Sequence, residues 1–256
     1  MVEKNDKVLE ILKLVDEYIT EKRSNTSWTA GKDWVRYGGP YFDSDEYVRA
    51  VRSLLSEWLV LGQDAIKFER VFPKHFGKTS GILTNSGSSA NLLMMLATTS
   101  KRLYNFQKGT KVITPIAGFP TTINPILQVG FEPVFVDIDL ENLNLDLDQV
   151  EKAAQQGAKI ITFAHVLANP PNMDPEKFAL LASSPGSTYD GKELGSFGEM
   201  ASCSFYPAHH ITMGEGGFVA TRTHEQERVV RSFREWGRGC YCVGKEANLL
   251  KDGTCK

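Results

Sequence analysis

The stretch GILTNSGSSANLLMMLA, residues 81–97, contains the passage from a strand to a helix that indicates the fold. Its first four residues form a short apolar run, and the turn that follows is rich in serine and glycine. From residue 90 onward the sequence is almost wholly apolar and contains strong helix formers. A strand, a turn of small residues and a helix, in this order, are typical of the beginning of a βαβ unit.

Short apolar runs separated by stretches of helical character extend this alternation along most of the chain. This pattern predicts an α/β fold with a largely parallel sheet. The further strand runs are KVIT (111–114), PVFVD (133–137), KIITF (159–163), ASCSF (201–205) and GGFVAT (216–221). Helices are predicted over 7–22, over 44–59 with Ser44 and Asp45 as caps, over 63–76, and from about Val229 to Trp236.

The turn NSGSS (85–89) is a candidate phosphate-binding site. The first amides of the helix that follows have no acceptor within the helix, and the helix dipole favours an anion at this end. Gly87 would let a phosphate approach the backbone, while the Ser88 and Ser89 hydroxyls would add donors. An ordinary serine-capped helix start explains the same residues and is the more common case. The turn alone does not separate the two interpretations.

Composition limits the classes of function. With 256 residues, of which 41% are hydrophobic and 23% charged, the chain can bury a sizeable core and is expected to form one large domain. The formal net charge is −2 and basic residues are scattered among acidic ones, so binding to nucleic acid is not expected. Residues 1–23 carry charges every few positions, which argues against a signal peptide and a membrane span. A cytoplasmic location is therefore expected.

The segment SFYPAHHITMGEGGFVAT (204–221) resembles the cofactor-lysine segment of the DegT/DnrJ/EryC1/StrS aminotransferase family. When Ser204, Phe205, Pro207 and the run 214–217 are matched to the family pattern, His209 stands where most members carry the lysine. The match is similar to the CDP-4-keto-6-deoxyglucose-3-dehydrase branch, and extends through TNSGSSANLL, ITPIAGFPTTINPI and FVDIDLENLNLD. The matching stretches span most of residues 35–242.

This resemblance implies a fold type I architecture, as in pyridoxal-phosphate-dependent transferases, with helices on both faces of a mostly parallel sheet. It also implies a homodimer with shared active sites, and pyridoxamine 5′-phosphate or pyridoxal 5′-phosphate as cofactor. By the same resemblance, the turn Gly87-Ser88-Ser89 and Ser204 would bind the cofactor phosphate, and Phe119 would stack on its ring. Phe119 could equally belong to the core.

The histidine at position 209 changes the chemistry that such a site could perform. A lysine amine can form a covalent bond with an aldehyde cofactor, whereas an imidazole has no primary amine and cannot. Imidazoles titrate close to neutral pH, so His209 could still act as a general base. Alternatively, His209 and His210 could be a pair of histidines at a strand end that is satisfied by hydrogen bonds or bridges a metal.

The resemblance therefore implies a dehydratase that removes the C3 hydroxyl of a CDP-4-keto-6-deoxyhexose, in the synthesis of dideoxysugars for a lipopolysaccharide O-antigen. His209 would remove a proton during this elimination, and a reductase partner would follow. One alternative is amino transfer to a nucleotide-linked keto sugar, which the absence of a lysine near position 209 does not support. The other alternative is an inactive fragment that binds the cofactor without turnover.

The resemblance fails between HVLANPPNMDP (165–175) and GSTYDGKELGSFGEM (186–200). The family normally has a crossover helix here and a strand that ends in an acidic motif, whose aspartate pairs with the pyridine nitrogen of the cofactor. Only EKFALLASSP remains, so we expect the loss of a strand, with unpaired edges or a hole in the sheet. A frameshift, an excision or a genuine shortening would each explain the sequence.

Three parts of the chain are predicted. They are an N-terminal helical arm (1–62), a large cofactor-binding α/β domain shortened near 176–186 (63–239), and the beginning of a C-terminal domain (240–256). The last part contains Cys240, Cys242 and Cys255, which resemble part of the ligand set of an iron–sulfur (2Fe–2S) cluster in the dehydratase branch. Reduced thiols or bound zinc are alternatives. Cys203 falls in a predicted buried strand and is expected to behave as a small apolar residue.

Overall fold

Helices and strands alternate along most of the chain in the computed structural model, which describes residues 6–36, 38–165, 171, 180–183, 188–189, 192–193, 196, 198–209 and 211–239. The helices are α1 (Asp6–Ser24), α2 (Ser44–Leu55), α3 (Gln63–Val71), α4 (Gly87–Thr99), α5 (Pro120–Gln128), α6 (Leu147–Gln155) and α7 (His224–Arg234), with a 3₁₀ helix at Phe72–Phe76. The strands are β1 (Ser80–Thr84), β2 (Lys111–Pro115), β3 (Glu132–Val136), β4 (Ile138–Asp139), β5 (Asn144–Leu145), β6 (Ile160–Ala164), β7 (Leu180–Ser183), β8 (Thr188–Tyr189), β9 (Lys192–Glu193), β10 (Gly198–Ser204) and β11 (Gly217–Thr221).

The main sheet contains seven of the described strands, in the order β1-β11-β10-β7-β6-β2-β3. Strands β10, β7, β6, β2 and β3 run parallel, and β11 is antiparallel to both of its neighbours, β1 and β10. The six strands predicted from apolar runs are all present, with ends that differ by a few residues. The prediction of a largely parallel α/β sheet is therefore confirmed.

The expected loss of a strand from this sheet is wrong. Residues 180–183 form β7, which lies parallel between β6 and β10 and pairs with both. Backbone hydrogen bonds hold a sheet together, so this position accepts the sequence LLAS although leucine, alanine and serine are not strong strand formers. In the connection from β6 to β7, residues 166–170 and 172–179 lie outside the described part of the chain, so the shortening expected near 176–186 stays a prediction.

The N-terminal region forms two helices, α1 and α2, which pack against each other. A capping box begins α2: Asp43 Oδ1 accepts a hydrogen bond from Asp45 N over 2.9 Å, and Glu46 Oε2 accepts one from Asp43 N over 2.7 Å. The prediction that Ser44 and Asp45 cap this helix is therefore wrong by one or two positions, because the reciprocal bonds need Asp43 at the cap. The helix ends at Leu55 rather than at residue 59. Within the described residues, every helix is too short or too polar to cross a membrane.

Helices cover both faces of the main sheet. On one face, α4, α5 and α7 bury apolar side chains against the strands. On the other face, α6 packs on β2, β3 and β6, while the 3₁₀ helix places Phe72 and Phe76 against β10 and β11. In α4 the side chains of Ala90, Met94 and Met95 are buried almost completely. Each fully buried large apolar side chain contributes about 1.5–3 kcal/mol, so the position of α4 on the sheet is firmly fixed.

A group of buried charges fixes the end of β1. Glu69 on α3 accepts a hydrogen bond from Leu83 N over 2.9 Å, and forms ion pairs with Arg231 and Arg234 of α7 at 3.0 and 2.7 Å. Arg234 also donates to Leu83 O over 2.9 Å. Buried charges need such partners because leaving one unpaired costs several kcal/mol. The strand end that leads into the turn NSGSS is thus held by both α3 and α7.

Candidate functional site

The carboxyl ends of β1, β10, β6 and β2 lie along the same edge of the sheet. Because β1 and β10 both pair with β11, Thr84 and Ser204 lie on either side of Gly217. Ligands of open α/β sheets bind at this edge, where loops and helix N-termini converge. The predicted site residues that the structure describes all belong to strand ends, loops or helix starts at this edge: Gly87, Ser88, Ser89, Phe119, Ser204 and His209.

The turn after β1 is the start of α4, and Ser86 is its N-cap. Ser86 Oγ accepts a hydrogen bond from Ser89 N over 3.1 Å, and Ser86 O accepts one from Ala90 N over 3.0 Å. The two preceding amides, those of Gly87 and Ser88, have no acceptor within the helix. The serine cap is therefore present, and it still leaves amide donors for an anion.

Two glycines allow this turn to approach β10 and β11 closely. A Cβ atom at Gly87 would lie 2.5 Å from Ser204 Cβ, and one at Gly217 would lie 2.1 Å from Ser86 O. Such distances are shorter than van der Waals contacts permit, so both positions require glycine. The missing side chain of Gly87 therefore brings Ser204 against the first turn of α4. Two separately predicted phosphate-binding elements are brought together in this way.

Ser204 lies half-buried at the end of β10, with its hydroxyl beside this turn. Its Oγ accepts a long hydrogen bond from Tyr206 N, at 3.3 Å, which leaves the hydroxyl proton to donate elsewhere. Backbone amides and hydroxyls are common donors to phosphate, and residues 84–89 contain no carboxylate that would repel one. This set of donors fits a phosphate group.

His209 lies in the loop between β10 and β11, and its side chain is exposed. Phe205 closes the base of this loop: its N donates to Gly216 O over 2.9 Å, and its O accepts from Met213 N over 3.2 Å. Phe205 itself is fully buried. Within the loop, His209 N donates to Tyr206 O over 2.9 Å. The structure thus places the imidazole on a loop that is anchored in the core at its base.

Phe119 follows β2 and is the N-cap residue of α5. Its side chain is 69% exposed, so the alternative that Phe119 belongs to the core is wrong. An exposed aromatic ring near this edge is available to stack on a flat ligand. That it stacks on a cofactor stays a prediction.

Two buried polar side chains near the same edge have no hydrogen-bond partner within the described residues, Thr114 on β2 and His165 directly after β6. The ring of His165 is buried and packs edge-on against Phe163, with 5.0 Å between the ring centroids. Burial lowers the pKa of His165 to about 4, because the charged imidazolium is poorly solvated there. The imidazole is therefore neutral at physiological pH.

Several predicted residues lie outside the described part of the chain, namely His210, Cys240, Cys242 and Cys255. The possible histidine pair and the cysteine cluster therefore stay predictions. Among the residues that are described, no three His, Cys, Asp or Glu side chains are grouped to bind a metal. Cys203 is buried in β10 as predicted, and burial raises the pKa of its thiol to about 12.

Asn91 is a residue of this region that the sequence patterns did not single out. It lies in the second turn of α4, where its carboxamide contacts Ser202 of β10 and Thr121 of α5. Asn91 is the one polar residue within the stretch ANLLMMLA (90–97). That isolated amide in an otherwise apolar helix is the signal that could have marked it.

The sequence pattern that defines the DegT/DnrJ/EryC1/StrS aminotransferase family matches residues 40–246. The chain belongs to this family. The matched range includes the start of α4, Phe119, Ser204 and His209, so the whole edge described above lies within the family region. The resemblance drawn from the segment 204–221 is thereby confirmed.

Two curated proteins are similar to this chain over most of its length. The lipopolysaccharide biosynthesis protein RfbH of Salmonella typhimurium is 40% identical over 246 residues, which cover 91% of this chain and 56% of the relative. The dTDP-4-dehydro-2,6-dideoxy-D-glucose 3-dehydratase of Saccharopolyspora spinosa is 41% identical over 260 residues, covering 96% of this chain and 54% of the relative. The chain thus spans about half the length of these relatives.

A solved structure of similar sequence shows the same fold. The E. coli GDP-4-keto-6-deoxy-D-mannose-3-dehydratase with bound hydrated PLP matches with a TM-score of 0.69 at 31% identity, covering 77% of this chain and 53% of that one. The fold type I architecture expected from the resemblance is confirmed by this match and by the mostly parallel sheet with helices on both faces.

Proposed function

We propose that this chain binds pyridoxamine 5′-phosphate and acts as a dehydratase on the C3 hydroxyl of a nucleotide-linked 4-keto-6-deoxyhexose. The observation that carries the proposal is His209, an imidazole on the β10–β11 loop at the position that, by the resemblance of residues 204–221, holds the cofactor lysine in most family members. Relatives named as sugar 3-dehydratases support it, since both the curated relative from Saccharopolyspora spinosa and the E. coli structure bear that name.

The described residues at the sheet edge fit the phosphate of this cofactor. The amides of Gly87 and Ser88, with the hydroxyls of Ser89 and Ser204, would bind the phosphate, and Phe119 would stack on the ring. When bound, the cofactor supplies an amine that condenses with a keto group and a ring that accepts an electron pair. The aldehyde form, pyridoxal 5′-phosphate, would be held without a covalent bond, because an imidazole has no primary amine.

His209 would serve as the base for the C4′ proton of the bound cofactor and would return that proton to the C3 hydroxyl, so that this group leaves as water when its C–O bond breaks. A general base must lie within hydrogen-bonding reach of its proton, and the anchored loop with its 2.9 Å bond from His209 N to Tyr206 O limits where the imidazole can lie. The loop residues 205–216 contain no lysine that could hold the cofactor covalently for amino transfer. Elimination is therefore favoured over transamination.

We further propose that CDP carries the sugar and that the reaction belongs to the synthesis of dideoxysugars for a lipopolysaccharide O-antigen. It is supported by the likeness of SFYPAHHITMGEGG to the CDP branch, and by the name of the relative RfbH as a lipopolysaccharide biosynthesis protein. The two relatives named as 3-dehydratases carry dTDP and GDP in their names, so all three nucleotides belong in the test.

We further propose that this chain forms a homodimer in the cytoplasm and that a reductase partner acts after the dehydration. Large apolar side chains exposed in the N-terminal region and in the β10–β11 loop would be covered in a dimer: Trp34, Tyr41, Ile211 and Met213. Under this division, residues 1–62 form an arm and residues 63–239 the cofactor-binding domain. Size-exclusion chromatography with light scattering would contradict the dimer if it gave the mass of one chain.

We also propose Cys240, Cys242 and Cys255 as ligands of a 2Fe–2S cluster, which needs four thiolates. Cys203 is not suited to be the fourth, because its thiol is buried and its pKa is raised to about 12. The resemblance puts the fourth ligand in the acidic motif that this sequence lacks. Anaerobic analysis for iron and acid-labile sulfide tests the cluster, and zinc alone or no metal would contradict it.

The deciding experiment mixes the purified chain with pyridoxamine 5′-phosphate and the CDP-, dTDP- or GDP-linked 4-keto-6-deoxyhexose. Mass spectrometry is expected to show a sugar product that has lost one water. Unchanged sugar with all three nucleotides would contradict the proposal and favour the inactive-fragment alternative, which the shortening predicted near 176–186 and the missing acidic motif support. An amino sugar as product would instead indicate a transaminase.

A further inference from the structure

Asn91 connects three elements that surround the candidate site. Ser202 Oγ of β10 donates to Asn91 Oδ1 over 2.6 Å, and Asn91 Nδ2 donates to Thr121 O at the start of α5 over 3.0 Å. Ser202 is 3% exposed and lies two residues before Ser204 on the same face of β10. Thr121 lies two residues after Phe119. The carboxamide thus joins the helix that begins at the turn to the elements that carry Ser204 and Phe119.

Helix α4 contacts β10 at two points, and the distance between these points is nearly the same along the helix as along the strand. Gly87 and Asn91 are four residues apart and lie on the same face of α4. Gly87 contacts Ser204, and Asn91 contacts Ser202, so the helix is attached to β10 at two successive points. Four residues of helix rise about 6 Å, and two residues of strand rise about 6.6 Å. The hydrogen bond between Asn91 and Ser202 therefore limits how far α4 can slide or tilt along β10 at the point where Gly87 contacts Ser204.

We propose that Asn91 is a positioning residue. It holds the amides at the start of α4, the Ser204 hydroxyl and the Phe119 ring in the arrangement that binds the cofactor. This inference rests on the proposed function. A carboxamide is needed because one end must accept from a buried hydroxyl and the other must donate to a carbonyl. An apolar side chain of the same size would leave both partners, Ser202 Oγ and Thr121 O, without their hydrogen bond.

The test compares Asn91→Leu and Ser202→Ala with Thr98→Val as the matched control. Thr98 lies in the same helix, is buried, and donates from Oγ1 to Met95 O over 2.7 Å, so its replacement also removes a buried hydrogen bond from α4. Dissociation constants are measured for pyridoxamine 5′-phosphate and for pyridoxamine, which lacks the phosphate. Thermal melting is recorded for every variant.

We expect Asn91→Leu to weaken binding of the phosphorylated cofactor about tenfold, with a smaller effect on pyridoxamine, so that the advantage given by the phosphate shrinks. Ser202→Ala should act in the same direction but less, and it decides the matter if Asn91→Leu does not fold. Thr98→Val should lower the melting temperature without changing the ratio of the two affinities. In the double variant Asn91→Leu/Ser202→Ala, the loss of affinity should be less than the product of the two single losses.

Two results would overturn this role for Asn91. If the wild-type chain binds the phosphorylated cofactor and both variants keep its phosphate preference, Asn91 contributes to stability alone. If the wild-type chain does not bind the cofactor, the proposed function fails, and this inference fails with it.

Discussion

Tyr206 and His209 close a tight turn directly after β10: His209 N donates to Tyr206 O over 2.9 Å, and the two rings meet edge-to-face with 6.3 Å between their centroids. Both side chains are exposed, so the turn directs the imidazole away from the core. A residue that acts only by moving a proton needs this combination of a fixed backbone and an accessible ring. The histidine can then be replaced without disturbing the packing beneath it.

Replacing His209 by asparagine should abolish dehydration while leaving cofactor binding within about twofold, a change worth less than 1 kcal/mol. The reason is that the proposed role of the imidazole is proton transfer, whereas the cofactor is held by the α4 turn, Ser204 and Phe119. Mass spectrometry of the sugar and titration with pyridoxamine 5′-phosphate measure the two effects. His75→Asn, at an exposed histidine of the 3₁₀ helix, is the matched control and should keep full turnover. Undiminished dehydration by His209→Asn would remove it as the base.

Gly87→Ala tests the close contact between the α4 turn and β10. The added Cβ would lie 2.5 Å from Ser204 Cβ, so the turn or the strand has to move. We expect a loss of about 1–3 kcal/mol in the free energy of unfolding, as for other overpacked sites, together with much weaker cofactor binding. Chemical denaturation and cofactor titration measure these effects.

Gly239→Ala is the control for that change, because a Cβ at Gly239 meets no heavy atom of the described residues within 4 Å. It should leave both stability and binding unchanged. Wild-type cofactor affinity in Gly87→Ala would show that the phosphate does not depend on the closeness of the turn to Ser204.

The fold could be predicted where a segment's own sequence favours its structure. The runs at β2 and β6 are rich in β-branched residues, and this property predicts the strands that the structure contains. The sequence LLAS of β7 does not predict a strand, because its residues favour a helix as readily as a strand. Its structure is decided by the open position between β6 and β10, which is a property of the sheet and not of the segment.

At the candidate site too, the sequence predicts what short segments determine but not what contacts between distant segments determine. The turn Gly87-Ser88-Ser89 can be predicted from its own short motif, and Ser204 from the resemblance of residues 204–221 to the family. Asn91 cannot be predicted in this way, because its hydrogen-bond partners are 30 and 111 residues away along the chain. Contacts of that range depend on how α4 lies on the sheet. The exposure of Phe119 could not be read from its sequence neighbours for the same reason.

His165 should make the protein less stable in acid. In the unfolded chain its imidazole takes up a proton near pH 6.5, the ordinary value, whereas burial lowers the folded-state pKa to about 4. Between these values the unfolded state binds more protons, so its contribution to stability is complete above about pH 6.5 and is lost as the pH falls towards 4. The loss is at most about 3 kcal/mol.

Replacement of His165 by leucine should therefore flatten the fall in unfolding free energy between pH 6.5 and 4, measured by urea denaturation at several pH values. Phe163→Leu is the control, because it disturbs the packing against the same ring without removing a titrating group. It should shift stability by a similar amount at every pH. An acid profile of His165→Leu that runs parallel to the wild type would contradict the prediction.

Cys203 should resist alkylation as long as the protein is folded. Its thiol lies in β10 among Phe205 and Phe218, and burial raises its pKa to about 12, so almost no thiolate is present at pH 8. Iodoacetamide should modify Cys203 at least about tenfold more slowly in the native protein than after denaturation, since both access and thiolate are lacking. Peptide mapping by mass spectrometry gives the rate at this site alone.

Because the Cys203 thiol is buried and protonated, Cys203→Ala should not change the amount of iron or zinc that copurifies with the chain. Rapid native labelling, or metal lost with the alanine variant, would show that β10 opens far enough to expose this thiol and would return it to the set of possible ligands.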